Sequence, residues 1–167
     1  IDWSLSRNRF WGTPLNVWLC DTCEAQHVPT CRADLSELTG SDQSALDLHR
    51  PFVDDIGFPC TAAGCNGAMH RTPEVIDCWF DSGCMPFAQF GFPHQGQERF
   101  AAAFPADFIS EAIDQTRGWF YSLLMISTLL FDEETCRAYQ LEPRPYPRPY
   151  RNCIVLGLMN GEDGKKL

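Results

Sequence analysis

Residues 107–131 read DFISEAIDQTRGWFYSLLMISTLLF, and the fold turns on this stretch. Asp107-Phe108-Ile109-Ser110, preceded by Pro105, has the character of a short buried strand. A polar stretch follows, Glu111-Ala112-Ile113-Asp114-Gln115, and then an apolar segment from Gly118 to Phe131. Within that segment Trp119, Leu123, Ile126 and Leu130 recur three and four residues apart, the mark of a helix facing a core. Phe120, Leu124 and Leu129 widen the stripe, so the helix is expected to be buried on most sides. The uninterrupted apolar run is about 14 residues, short of the roughly 20 a bilayer-spanning helix needs. A membrane helix is excluded.

Further along the chain, Asn152-Cys153-Ile154-Val155-Leu156-Gly157-Leu158 is a second strand, apolar without alternation, as a strand covered on both faces would be. Strand, helix, strand makes a right-handed parallel βαβ unit, and the class is α/β. The Pro/Arg run Glu142–Pro149 reads as an extended lead-in to that strand more readily than as a polyproline ligand. In such sheets ligands bind where a strand ends and free helix amides begin, here at Glu111–Gln115. Asp114 and Gln115 have the chemistry to bond ribose hydroxyls or an ammonium group. On the residues alone, Asp114 serves equally as a plain helix cap. No GxGxxG or GxxxxGK[ST] occurs, so neither dinucleotide nor P-loop binding is supported.

Toward the N-terminus the reading divides the chain into 1–19, aromatic-rich; 20–70, cysteine-bearing; and 71–167. Cys20-x2-Cys23 and Cys60-x4-Cys65 bracket a polar excursion with room for a short helix. Two tight turns of two thiolates each supply four sulfurs to one tetrahedral zinc, and Gly64 and Gly67 give the backbone freedom such a knuckle needs. With few large apolar residues nearby, the metal is expected to supply the ordering a core would otherwise provide. All four positions being protein, the role is structural. His27, Cys31 and His70 lie close enough in sequence to substitute. Cys78, Cys84, Cys136 and Cys153 sit in apolar contexts and read as small hydrophobes.

The chain has 167 residues, 13 Lys+Arg against 22 Asp+Glu, a formal charge of −9 and nine cysteines. At 44% hydrophobic and 21% charged it is an ordinary globular composition, not a disordered one. The acidic balance counts against a free-standing nucleic-acid binder. The length argues against a small disulfide-stapled scaffold. Ile1-Asp2-Trp3 carries no leader, and Lys165-Lys166-Leu167 follows a strand-like run and a turn, so a piece of a longer protein is expected.

Four ordered motifs together resemble the isoleucyl-tRNA synthetases, class I aminoacyl-tRNA synthetases. Ser4–Pro14 (SLSRNRFWGTP) is similar to the strand and turn by which that family returns from its editing insertion. Val75–Gly83 (VIDCWFDSG) resembles its WFDSG segment, where valyl enzymes tend to carry WFSSA. Glu111–Phe120 (EAIDQTRGWF) resembles E-G-x-D-Q-x-R-G-W-F, with Ala112 where glycine is usual. Val155–Leu158 and then Glu162–Leu167 are similar to the approach to the KMSKS loop, with Leu156-Gly157-Leu158 in place of one branch's His-Gly-Phe.

The resemblance implies the second half of a Rossmann-like class I catalytic domain carrying a small zinc-binding insertion. The whole enzyme joins isoleucine to ATP, with Mg, and passes the acyl group to tRNA(Ile); it would be cytoplasmic and monomeric. Trp79 and Trp119 match aromatics walling the isoleucine pocket. Glu111, Ala112, Asp114 and Gln115 match positions around the adenylate and its ribose. Gly157 and Leu158 match the strand end meeting adenine, and Lys166 matches the first KMSKS lysine. The HIGH motif, the editing domain and the anticodon-binding region are not among these residues, so the chain by itself is expected to be inactive. The alternatives are a valyl- or leucyl-type segment, or a stand-alone zinc interaction module derived from a synthetase.

Overall fold

The computed structural model describes residues 3–141 and 148–165, which fall into two compact units, Ile1–Cys78 and Trp79–Leu167. No helix among the described residues is long and apolar enough to cross a membrane.

The first unit contains, in chain order, β1 (Ser6–Arg7), β2 (Trp18–Cys20), β3 (Gln26–His27), α1 (Arg32–Thr39), β4 (Gly57–Pro59), β5 (Ala68–Arg71) and β6 (Val75–Ile76). Strands β3-β2-β5-β4 form one antiparallel sheet, and β1 pairs with β6. The buried Asp77 carboxylate fastens that second pair, accepting from Arg7 Nη2 at 2.6 Å and Trp3 Nε1 at 2.9 Å. Helix α1 begins where Thr30 donates from its amide and hydroxyl to Asp34, at 2.8 and 2.6 Å, which draws the Asp34 carboxyl down to about 2. It ends at Gly40 in the left-handed conformation (φ 67) that glycine adopts without steric cost.

This unit has a core of its own, contrary to the expectation that a metal alone would order it. Trp18, Cys20, Leu35, Val53, Phe58 and Met69 are buried together, and the Trp18 indole donates to the Ile56 carbonyl at 2.8 Å. The apolar residues are scattered across sequence-distant strands, a helix and a turn, so no local window reveals them. Beside this core Arg71, its side chain 1% exposed, donates Nε to Asp54 Oδ1 at 2.7 Å and Nη1 to the Leu15 and Glu74 carbonyls at 3.0 Å each. Arg50 Nε bonds the other Asp54 oxygen at 2.7 Å.

The second unit contains α2 (Cys78–Ala88, whose first residue belongs to the preceding unit), α3 (Gln97–Ala103), β7 (Ala106–Ala112), a tight helical turn at Ile113–Arg117, α4 (Trp119–Leu130), α5 (Glu133–Ala138) and β8 (Tyr150–Leu156). Strands β7 and β8 are parallel, with Ile109 opposite Cys153 and Ala112 opposite Leu156, and α4 lies between them in sequence: the expected βαβ unit. Helix α4 packs on the pair through Ile109, Phe120 and Leu123. A separate aromatic core joins Phe92, Phe100, Phe104 and Phe131 to the buried Cys136.

Two burial expectations need correction. Helix α4 buries one face only, through Phe120, Ser122, Leu123, Ile126 and Ser127, while Leu129 is 79% exposed and Leu124 and Leu130 are also open. Strand β8 is likewise open on both faces beyond Tyr150, leaving Ile154, Val155 and Leu156 about half exposed and Cys153 on the surface. A parallel pair needs a layer on each face, and among the described residues α4 covers Ile109 of β7 and reaches only the start of β8, at Tyr150. Cys78 is also exposed, at the first position of α2, whereas burial, reinforced by Asp81, pushes the half-buried Cys84 thiol up to about 11.

Small residues set the α2–α4 contact. A Cβ on the buried Gly83 would lie 2.5 Å from Ile126 Cδ1 and 3.0 Å from the Ser122 backbone. Backbone cannot step aside as a side-chain tip can. Gly83→Ala is therefore expected to lower stability by about 1–3 kcal/mol, the usual cost of overpacking, seen as a lower thermal midpoint. An unchanged midpoint would refute this close contact.

Candidate functional site

Helices α2 and α4, the end of β7 and the turn after it enclose a cleft of about 280 Å³ lined by Trp79, Ser82, Glu111, Gln115 and Trp119. Two stretches some thirty residues apart in sequence thus meet, and four of the residues singled out from sequence line the cleft together. Glu111 is the next-to-last residue of β7, and Gln115 sits in the tight turn. Ala112 and Asp114 flank them without lining the cleft. Gly157 and Leu158 follow the end of β8, which lies in register with the end of β7, so both strand termini deliver their residues to the same edge. Lys166 lies outside the described residues, as does most of the Pro/Arg run.

Local chemistry fixes the walls. The Gln115 side-chain oxygen accepts the Trp119 backbone N–H at 2.9 Å, so Gln115, and not Asp114, satisfies an open amide at the start of α4. The bond directs the oxygen of that amide to the helix, while its NH₂ donates to Asp114 Oδ2 at 3.5 Å. Trp119 Nε1 donates to the Ser82 carbonyl at 3.1 Å. Pro86, four residues on and inside α2, has no N–H to donate to that carbonyl, a feature legible in the sequence. Beneath Trp79 lies Gly118, buried at the head of α4; a Cβ there would stand 2.5 Å from Gln115 Oε1 and 3.2–3.3 Å from the Trp79 ring. Ser82, Pro86 and Gly118 were not singled out as site residues from sequence. A proline inside a helix, paired with the residue four before it, was the available signal.

In the first unit Cys20, Cys23, Cys60 and Cys65 bring their sulfurs within 4.8 Å of one another, and among the described residues His27, Cys31 and His70 do not join them. Cys20 Sγ lies 3.7 Å from Cys65 Sγ, and Cys23 Sγ 3.6 Å from Cys60 Sγ. Four sulfurs about 2.3 Å from a tetrahedral ion would stand about 3.8 Å apart. The donor set therefore fits a metal. Backbone amides of Thr22, Ala62 and Gly67 each point at a cysteine sulfur at 3.4 Å, the polarity a thiolate needs. The amides of Cys23 and Thr22 hold the Cys20 thiol down to about 7. The Ala62 amide acts the same way on Cys60, but burial and the neighbouring sulfurs push that thiol up to about 12. Gly67 packs against Cys20 Sγ, where a Cβ would come within 2.6 Å.

The family model described as tRNA synthetases class I (I, L, M and V) matches residues 1–167. The chain belongs to that family. Among class I synthetases it is similar to isoleucine–tRNA ligases: 52% identical to that of Streptomyces avermitilis over all of this chain, 47% to the isoleucine–tRNA ligase 2 of Bacillus thuringiensis subsp. konkukian, and 46% to that of Treponema denticola over 99% of it. The chain spans 14% of the Streptomyces enzyme's length. A leucyl synthetase from Agrobacterium radiobacter, solved with tRNA and LeuAMS, superposes with a TM-score of 0.63 over 99% of this chain and 21% of that one. At 20% identity that likeness establishes the class I synthetase fold, in accord with the parallel βαβ unit.

Proposed function

We propose that the chain forms part of the catalytic domain of an isoleucine–tRNA ligase, and that the cleft of Trp79, Ser82, Glu111, Gln115 and Trp119 receives the amino acid and the adenylate made from it. The observation that carries this reading is the meeting of the WFDSG helix and the EAIDQTRGWF turn around one cleft. Two indole walls suit an aliphatic side chain, selected by shape. Glu111, Asp114 and Gln115 are suited to the ammonium and ribose groups, Ala112 allows close approach, Gly157 and Leu158 offer backbone to adenine, and Lys166 serves the phosphates of ATP, which enters with Mg. Their work is positioning and charge complementarity. Residues 1–19 would return from an editing insertion, 20–70 form a zinc knuckle and 71–167 complete the Rossmann-like half. Zinc, held by Cys20, Cys23, Cys60 and Cys65 with no position open, would order the knuckle. The working enzyme would be a cytoplasmic monomer acting on isoleucine, ATP and tRNA(Ile).

The test is ATP–pyrophosphate exchange. The full-length enzyme containing this sequence is expected to exchange with isoleucine, and Trp119→Ala to lose about 100-fold in kcat/KM. The 167-residue chain alone is expected to show none, because it holds no HIGH motif. Exchange supported by valine or leucine in preference to isoleucine would overturn the isoleucine assignment; exchange by the chain alone would overturn its inactivity.

A further inference from the structure

We propose that Gly118 and Pro86, neither of which lines the cleft, are positioning residues that set its width and thereby its discrimination between isoleucine and the smaller valine; this rests on the reading of the cleft as an amino-acid pocket. The indole of Trp79 is held edge-on against a backbone that carries no Cβ, with 3.2–3.3 Å between its outer ring carbons and the place a Cβ would occupy. The Gln115 oxygen fills the same space at 2.5 Å while it accepts the Trp119 N–H. Both Trp79 and Gln115 line the cleft, so whatever displaces them from Gly118 alters the walls. Another lining residue, Trp119, is anchored by its indole bond to the Ser82 carbonyl. Pro86 adds no competing donor there, whereas an ordinary residue at 86 would present its own N–H to the same carbonyl. Neither position touches the cleft directly. One acts by leaving out a side chain and the other by leaving out a hydrogen.

The positioning role and a merely structural one predict different results. Pro86→Ala removes a residue poorly suited to a helix interior, so a structural role predicts equal or greater stability and unchanged kinetics. A positioning role predicts equal or greater stability together with a higher KM for isoleucine. Gly118→Ala is expected to crowd Trp79 and Gln115 into the cleft. It should raise the isoleucine KM about tenfold, with the KM for ATP and kcat within about twofold, and lower the isoleucine-to-valine ratio of kcat/KM about three- to tenfold, because the larger side chain suffers more.

The experiment measures amino-acid-dependent ATP–pyrophosphate exchange and thermal midpoints for the full-length enzyme carrying Gly118→Ala, Pro86→Ala and Trp79→Phe. Trp79→Phe shortens the ring facing Gly118, so adding Gly118→Ala to it should cost clearly less than in the parent. If Gly118→Ala does not fold, the same ratio is read between Trp79→Phe and the double variant. An unchanged isoleucine KM and an unchanged ratio in both Gly118→Ala and Pro86→Ala, or strict additivity with Trp79→Phe, would overturn the proposal. An unsubstituted enzyme that does not use isoleucine would instead overturn the reading beneath it.

Discussion

Metal analysis of the purified chain is expected to find about one equivalent of zinc, and Cys60→Ser is expected to find none and to lose the cooperative unfolding of residues 1–78. Four sulfurs within 4.8 Å crowd their charges: the Cys20 thiol is held down to about 7, while those of Cys60 and Cys65 are pushed up by burial and sulfur neighbours, although the Ala62 and Gly67 amides oppose this. A divalent ion relieves that crowding of charge, and its binding energy is folding energy, on the order of 10 kcal/mol in small zinc-dependent folds. The six-residue core around Trp18 and Met69 shares the work here, so the loss should be smaller than that, though still the largest of any single substitution in this unit. Inductively coupled plasma analysis and chemical denaturation of parent and variant provide the check. Less than half an equivalent of zinc in the parent, or an unaltered unfolding transition in Cys60→Ser, would refute it.

Asp54→Ala is expected to cost about 3–5 kcal/mol, because it leaves the Arg71 guanidinium charged and buried without its carboxylate. The two carbonyl acceptors from Leu15 and Glu74 remain, but neither carries charge. Arg71→Met in the Asp54→Ala background should restore part of the loss by removing the stranded cation, a recovery measured by urea denaturation. The pair also sets an acid limb. Burial alone would raise the Asp54 carboxyl, but the Arg50 and Arg71 guanidiniums outweigh it and hold the group below its ordinary value. A depressed folded-state pKa means that the stabilisation is fully present above about pH 4 and fades as pH falls through the folded value. In Asp54→Asn that part of the acid limb should vanish. Reading the difference between variant and parent removes any acid loss common to both, that of a bound metal included. An equally steep limb in both would show that Asp54 does not contribute.

The legible parts of this molecule are those where one period or one spacing dominates. The three-and-four spacing from Trp119 onward placed α4 within a residue or two, and the four cysteines announced their cluster through two short turns. Glu111, Gln115, Trp79 and Trp119 were marked through motif resemblance and are found around one cleft. What stayed hidden depended on packing between distant segments. The helix of the WFDSG segment was masked by its mixed apolar pattern and internal proline. The core of the first unit draws Trp18, Leu35, Val53, Phe58 and Met69 from five separate stretches, none of them apolar enough to stand out. The exposure of Leu129 and of β8 was missed because periodicity reports which residues could be buried; coverage depends on which layers are there to bury them. The cap on α4 went to Gln115 over Asp114 because its longer side chain reaches the Trp119 amide four residues ahead.

The sulfur pairs have one further consequence, for how the chain tolerates change in length. Cys23 and Cys60 are separated by 37 residues and Cys20 and Cys65 by 45, so the cluster closes a long loop at its base. The entropy of such closure grows only logarithmically, about 0.6 kcal/mol for each doubling of length. The part of the loop that packs on the core lies at Leu35, Val53 and Phe58, whereas Gly40–Asp42 is exposed at the tip. Extra chain inserted at that tip would hang outside the base that the sulfurs and core hold shut. The excursion thus has the form of a socket: additional residues, or a whole further module, grafted at its tip are expected to cost little of the fold that carries them.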